Sequence, residues 1–266
     1  MIDDAFVQRW VSRLRQEFPD AVAVFLGGSQ LRGEAGPHSD VDFDVVVPDG
    51  PRDEWPAWVD RSTARPVRVS IWLRDADTWL AEQDVPQGWA FYLPSADPLR
   101  LCWVADESWR ARLDRSSLVH PAGPPELDHF VSDVAKVANA HAAGDELALR
   151  LAGHDLAHAC VSLLQPLNPR PPVTSRRAAL LTILSYDVAP PGFHDDVLVC
   201  LGLTGRPADA ADLYATARRL ATGVLDLVER HATTLAPLLA TFEATSLRDG
   251  SLGQHVTDLV SDHPTG

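Results

Sequence analysis

Residues 40 to 47 read Asp-Val-Asp-Phe-Asp-Val-Val-Val, and this strict alternation constrains the chain more than any other feature. In an extended strand successive side chains point to opposite faces. Asp40, Asp42 and Asp44 therefore project from one side, and Val41, Phe43 and Val45 from the other. The apolar side demands a packed layer beneath it. The acidic side spaces carboxylates roughly 6–7 Å apart, where they repel one another unless a cation lies among them. Folding does not need that arrangement, whereas holding Mg²⁺ through hard oxygen ligands does. By itself the pattern would equally suit the solvated face of an edge strand, and the segment before it decides the matter. Ala21 to Leu26 is a short apolar run halted by Gly27-Gly28-Ser29, as in a buried strand that enters a tight turn. Glycines there let backbone N–H groups approach an anion, a following helical turn adds partial positive charge, and Ser29 offers a hydroxyl donor. A phosphate cradle beside a carboxylate cluster is what phosphoryl or nucleotidyl transfer requires.

The rest of the chain divides in two. A helix capped by Asp3 or Asp4 carries Phe6, Val7, Trp10, Val11 and Leu14 at helical spacing and stops before Pro19. Val67 to Leu73 and Leu99 to Val104 read as further strands, with a helix near Thr78 to Gln83 between them. From about Pro124 the strands cease. Helical periodicity covers 127–141 and 145–165, and after the breaker NPRPP it resumes over Thr174 to Tyr186, Asp195 to Leu203 and Ala208 to His231. The pattern predicts an α+β chain. A mixed sheet with flanking helices fills residues 1–122, an all-helical bundle fills 123–247, and 248–266 forms a polar, loosely held tail. Trp55, Trp58, Trp72, Trp79, Trp89 and Trp103 read as core or interface residues.

Composition removes several classes of function. The 266 residues carry a formal net charge of -14, from 37 acidic against 23 basic side chains. That balance argues against binding nucleic acid or an anionic membrane, both of which need clustered cations. No apolar run reaches the roughly 18 residues of a membrane helix. The acidic start, MIDDAFVQRW, is unlike a signal peptide, and three scattered cysteines (Cys102, Cys160, Cys200) suggest a reducing cytoplasm. Lys136 is the single lysine among the basic residues, the rest being arginine, which isolates it as a residue of interest.

Gly28-Ser29, Arg32-Gly33 and Ser39-Asp40-Val41-Asp42 together resemble the signature of the DNA polymerase β-type nucleotidyltransferase superfamily. Within it the chain is most similar to the kanamycin- and streptomycin-type adenylyltransferases. The resemblance implies a nucleotidyltransferase fold followed by a helical domain that forms the other wall of a cleft. It places the nucleoside triphosphate on Gly28 and Ser29, with Arg32 supporting the loop, and Mg²⁺ on Asp40 and Asp42. Phe130 to Arg150 and Leu163 to Asn168 look like the helical domain of the same enzymes, where Lys136 falls at a lysine near the nucleotide. The implied activity is Mg²⁺-dependent transfer of AMP from ATP to a hydroxyl of a small-molecule acceptor, aminoglycoside-like in character.

One position departs from that pattern. The resemblance leads us to expect a third carboxylate on the strand Val67 to Leu73, and the corresponding position there reads as Arg68. Asp44 is a candidate to substitute as the third catalytic carboxylate, Asp133 or Glu146 could serve from the helical domain, or the site could bind nucleotide without transferring it. A nucleotide-binding or antitoxin-like regulatory protein with a degenerate site is therefore the second reading. His154 and His158 sit four residues apart as in a zinc helix, but with Asp155 where a metalloprotease carries glutamate and with no third ligand downstream.

Overall fold

The structure is a computed structural model that describes residues 2–48, 50, 53–82, 90–91, 93–96, 98–115, 120 and 122–260. Gln83, Trp89 and the end of the expected tail, 261–266, lie outside the described residues. The chain divides into two units.

The first unit is built on a sheet. Helix α1 (Asp4–Glu17) starts where the Asp3 carboxylate accepts the Phe6 N–H at 2.7 Å, satisfying a donor that the first turn leaves unpaired. Strands β1 (Ala23–Gly27) and β2 (Val41–Val47) run antiparallel with Gly27 opposite Asp42. Strand β5 (Val67–Asp75) lies parallel to β2 on its other side, and β6 (Arg100–Val104) pairs antiparallel with β1. Two short strands, β3 (Asp53–Glu54) and β4 (Ala57–Asp60), flank β5 and make the sheet six-stranded and mixed. The sequence pattern gives no sign of these two, because each is too short to alternate and Pro56 interrupts them. Helix α2 (Gly28–Arg32) follows β1, and α3 (Ala76–Glu82) and α4 (Glu107–Arg112) follow β5 and β6.

The alternation of β2 assigns the two faces. Val41, Phe43, Val45 and Val47 pack with Val24, Leu26, Val69 and Ile71 against Phe6, Val7, Trp10, Val11 and Leu14 of α1. Each such buried side chain contributes roughly 1.5–3 kcal/mol of gross hydrophobic stabilisation. The opposite face is split. Ala23, Phe25 and Val46 pack with Trp79 of α3 and with Leu113, whereas Asp42 and Asp44 occupy the rest of β2's polar side. Trp55 and Trp72 are exposed rather than core residues, since both sit beyond the reach of either packed layer.

The second unit contains α5 (Leu127–Ala142), α6 (Glu146–Leu164), α7 (Arg176–Ile183), α8 (Phe193–Cys200), α9 (Ala210–Arg230), α10 (Ala232–Leu235), α11 (Thr241–Asp249) and α12 (Ser251–Val260). The apolar stripe of α9, from Leu213 through Leu220 to Val228, is buried along its length, and α6 buries Leu149, Leu156 and Leu163. Among the described residues no helix is long and apolar enough to cross a membrane.

The expectation of a loosely held tail from residue 248 is corrected over its described part. Residues 251–260 form α12, which contacts α5 and α9. Glu243, almost fully buried, anchors this end of the chain. Its carboxylate accepts the Ala240 N–H at 2.9 Å, capping α11, and the Asp128 N–H at 2.7 Å in the first turn of α5. Polar composition concealed the helix because its few apolar positions suffice only once α5 and α9 are there to receive them. Replacing Glu243 by Ala strands two backbone donors, so the Glu243→Ala variant should lose about 2–4 kcal/mol in a urea unfolding curve. An unchanged midpoint would show that α11 does not secure α5.

Candidate active site

The chain leaves β1 through two glycines of different geometry. Gly27 is extended and precedes α2, whereas Gly28 has φ +71°, in the left-handed region that side chains disfavour. A Cβ added at Gly28 would also overlap the Asp42 carboxylate on the neighbouring strand. Glycine is therefore required twice over, for its backbone angle and for the passage of the loop against that carboxylate. The Ser29 carbonyl accepts N–H groups from Gly33 and Glu34 and closes the turn. Its hydroxyl has no hydrogen-bond partner among the described residues. Arg32 bonds Glu34 at 3.0 Å, and Glu34 also accepts from Ser175 at 3.0 Å, which fixes the chain as it leaves α2. Helix α2 has only five residues, so its contribution to anion binding comes from local N–H groups rather than from a developed helix dipole.

The three aspartates prove unequal. Asp40 lies just before β2 and accepts the Ser70 hydroxyl at 3.1 Å. Asp42 faces Gly28, and its pKa is raised from the usual 3.8 to about 6. Burial is the main cause, reinforced by the charges of Asp40 and Asp44 and partly offset by Arg32 and Arg68. Asp44 instead accepts the indole N–H of Trp79 at 2.9 Å, and that fully buried ring stacks on Phe25 at 4.7 Å. Among the described residues no group of three or more His, Cys, Asp or Glu side chains is disposed to hold a metal ion. The expected three-carboxylate cluster thus reduces to Asp40 and Asp42, with Asp44 turned toward the core by the need to pair a buried indole donor.

Strand β5 supplies the adjoining row. Its register sets Ser70, not Arg68, opposite Asp42 and sets Trp72 opposite Asp44, so Arg68 stands one step along the same face. No carboxylate occupies this face of β5. Nothing in the alternation of Val67 to Leu73 reveals which residue is level with Asp42, because register depends on strand pairing.

The helical unit carries its own polar cavity, of about 490 Å³, lined by Glu126, Asp133, Lys136, His154, Asp155 and His158 among others. Lys136 donates to Asp133 at 2.8 Å, and that bond with its charge holds the lysine pKa above the usual range. His158 stacks on Phe91 at 4.5 Å, and burial together with the nearby His154 pushes its pKa down to about 4. The His154 and His158 rings lie 4.7 Å apart, and among the described residues no third ligand joins them in a group that could hold a metal ion. Glu146 is engaged at 2.6 Å by Arg150 in an exposed pair one helical turn away.

Two variants test this geometry. Gly28→Ala forces a strained backbone angle and displaces Asp42, so it should cost about 1–3 kcal/mol in stability, readable as a lower thermal midpoint, and should abolish nucleotide binding. Asp42 gives a pH signature. Its folded pKa exceeds that of the unfolded chain, so the metal-free protein gains stability as pH falls from about 6 toward 4 and is weakest above 6. Asp42→Asn should therefore melt above wild type at pH 8 in EDTA, with the difference vanishing near pH 4. An identical pH profile for the two proteins would contradict the raised pKa.

Comparison with known proteins matches two separate segments of the chain. A family model described as nucleotidyltransferase domain matches residues 7–84, and one described as nucleotidyltransferase, substrate binding domain matches residues 126–230. No curated protein matches the sequence. Among solved structures, a nucleotidyltransferase-like protein from Exiguobacterium sibiricum 255-15 matches at 12% identity with a TM-score of 0.41, over 86% of this chain and 76% of that one. The glycine turn against Asp42 lies within the first matched segment and the polar cavity within the second, and the chain belongs to the nucleotidyltransferases, pairing their catalytic-type domain with a substrate-binding one.

Proposed function

We propose that this nucleotidyltransferase moves AMP from Mg²⁺-bound ATP to a hydroxyl of a small, hydroxylated, cationic acceptor resembling an aminoglycoside. The observation that carries the reading is the contact of Gly28 with Asp42, which brings the backbone of a glycine turn against a carboxylate whose charge the nearby arginines only partly offset. The residues fit a divalent ion. Asp40 and Asp42 offer hard oxygens, and Asp42 is held in an environment where a cation would replace a proton.

The parts divide as follows. Backbone N–H groups of the Gly28-Ser29 turn and the free Ser29 hydroxyl bind the triphosphate, and Asp40 and Asp42 hold the ion. When bound, Mg²⁺ neutralises phosphate charge and lowers the barrier to in-line attack. The acceptor oxygen bonds to the α-phosphorus as the bond to the β-phosphate bridging oxygen breaks, and pyrophosphate leaves with that electron pair. The hydroxyl proton goes to a base off β5, since Arg68, Ser70 and Trp72 include no carboxylate. The cavity of the helical unit suits the acceptor. Glu126, Asp133 and Asp155 favour ammonium groups, and His158, neutral at pH 7, can exchange hydrogen bonds with hydroxyls without adding positive charge. The absence of a carboxylate from β5 favours one other reading, nucleotide binding without transfer.

Titration of MgATP into wild type and into Asp40→Ala/Asp42→Ala tests the site by calorimetry. Metal-dependent binding to wild type alone is the expected result, and equal binding to both proteins would overturn the assignment of the aspartates. Labelled ATP with a panel of aminoglycosides and other polyols should then yield labelled product and pyrophosphate. Binding without product across that panel would favour the second reading.

A further inference from the structure

The face of the sheet beside Asp40 and Asp42 has an unusual distribution of charge. In the parallel register Ser70 stands level with Asp42, and its hydroxyl is already bonded to Asp40 at 3.1 Å. Beyond β5, strand β4 sets Ala57 opposite Ser70 and Val59 opposite Arg68. Asp44 is committed to the Trp79 indole. Two carboxylates satisfy one Mg²⁺, which keeps several of its waters and takes one or two protein oxygens. A second ion would find Ser70, Ala57 and Val59 in place of a ligand, and a guanidinium on the same face of the sheet. That guanidinium belongs to Arg68, which is exposed and has no hydrogen-bond or ion-pair partner among the described residues. Arg32 is engaged with Glu34, and Asp44 with Trp79.

We propose that this site holds a single divalent cation, on Asp40 and Asp42, and that Arg68 provides the second positive charge acting on the triphosphate. The proposal rests on the nucleotidyltransferase reading above. A guanidinium presents a planar fork of N–H donors that matches phosphate oxygens, carries its charge at every working pH and needs no ligands of its own. As the acceptor oxygen–phosphorus bond forms and the phosphorus–oxygen bond to pyrophosphate breaks, negative charge grows on the departing oxygen. An arginine in contact with that group stabilises the charge without any proton changing hands. Arg68 is by this account a catalytic residue specific to the transfer step. It also has a consequence for evolution of the site, in that a carboxylate there would create a second metal position.

Manganese serves as the probe. Mn²⁺ bound per chain is counted by electron paramagnetic resonance in the presence of α,β-methylene ATP, which cannot be cleaved at the α-phosphate. Wild type and Arg68→Ala should each bind one Mn²⁺, and Arg68→Glu should gain a second. Turnover in Arg68→Ala should fall about 100-fold or more and recover in part in Arg68→Lys, while both variants stay folded because the side chain is exposed. Two Mn²⁺ on wild type, one on Arg68→Glu, or wild-type turnover in Arg68→Ala would each overturn the proposal while leaving the nucleotidyltransferase reading standing. A wild type that binds no Mn²⁺ with the nucleotide would instead overturn that reading, and the single-ion site with it.

Discussion

The Asp42 carboxylate fills the space that any side chain at position 28 would need, and the rest of the site is arranged around that contact. It obliges the loop to use glycine in a left-handed conformation, and it brings the backbone of the turn against a half-buried carboxylate. The contact exists because β1 and β2 pair with Gly27 opposite Asp42, so the turn after β1 must cross beside the polar face of β2. Arg32, Glu34 and Ser175 then secure the exit of the turn.

Charge on this face is only partly compensated within the protein. Burial and two neighbouring acids raise the pKa of Asp42, and two arginines offset only part of that effect. A carboxylate whose pKa is raised in this way costs stability wherever it must be ionised. Asp44 shows the contrasting solution on the same strand. Its charge is held by an indole donor from a core residue, so it ties the polar face of the sheet to the packed cluster of Phe25 and Trp79.

The helical unit depends on a comparable anchor. Glu243 reaches back 115 residues to the first turn of α5, the helix that carries Asp133 and Lys136, and it caps α11 at the same time. The pair and the cavity they line are thus supported by the end of the chain.

The sequence by itself determined the local features. The alternation of β2, the glycine turn, the amphipathic stripes of α1, α5 and α9, and the division into a sheet region and a helical region all follow from periodicity, because side-chain direction in a strand or helix repeats every two or 3.6 residues. Residue type also singled out Gly28, Asp40, Asp42 and Lys136. Tertiary structure decided which carboxylates remain available, which residue stands beside them and where the chain's last helices dock. Asp44 and Asp42 are equivalent in the alternation and differ only because Trp79 packs beneath one of them. Ser70 and Arg68 exchange places according to strand register, which is set by hydrogen bonding between segments distant in sequence. Short strands such as β3 and β4, and the polar helix α12, carry too few apolar positions to be recognised alone and acquire their form from the neighbours that bury them.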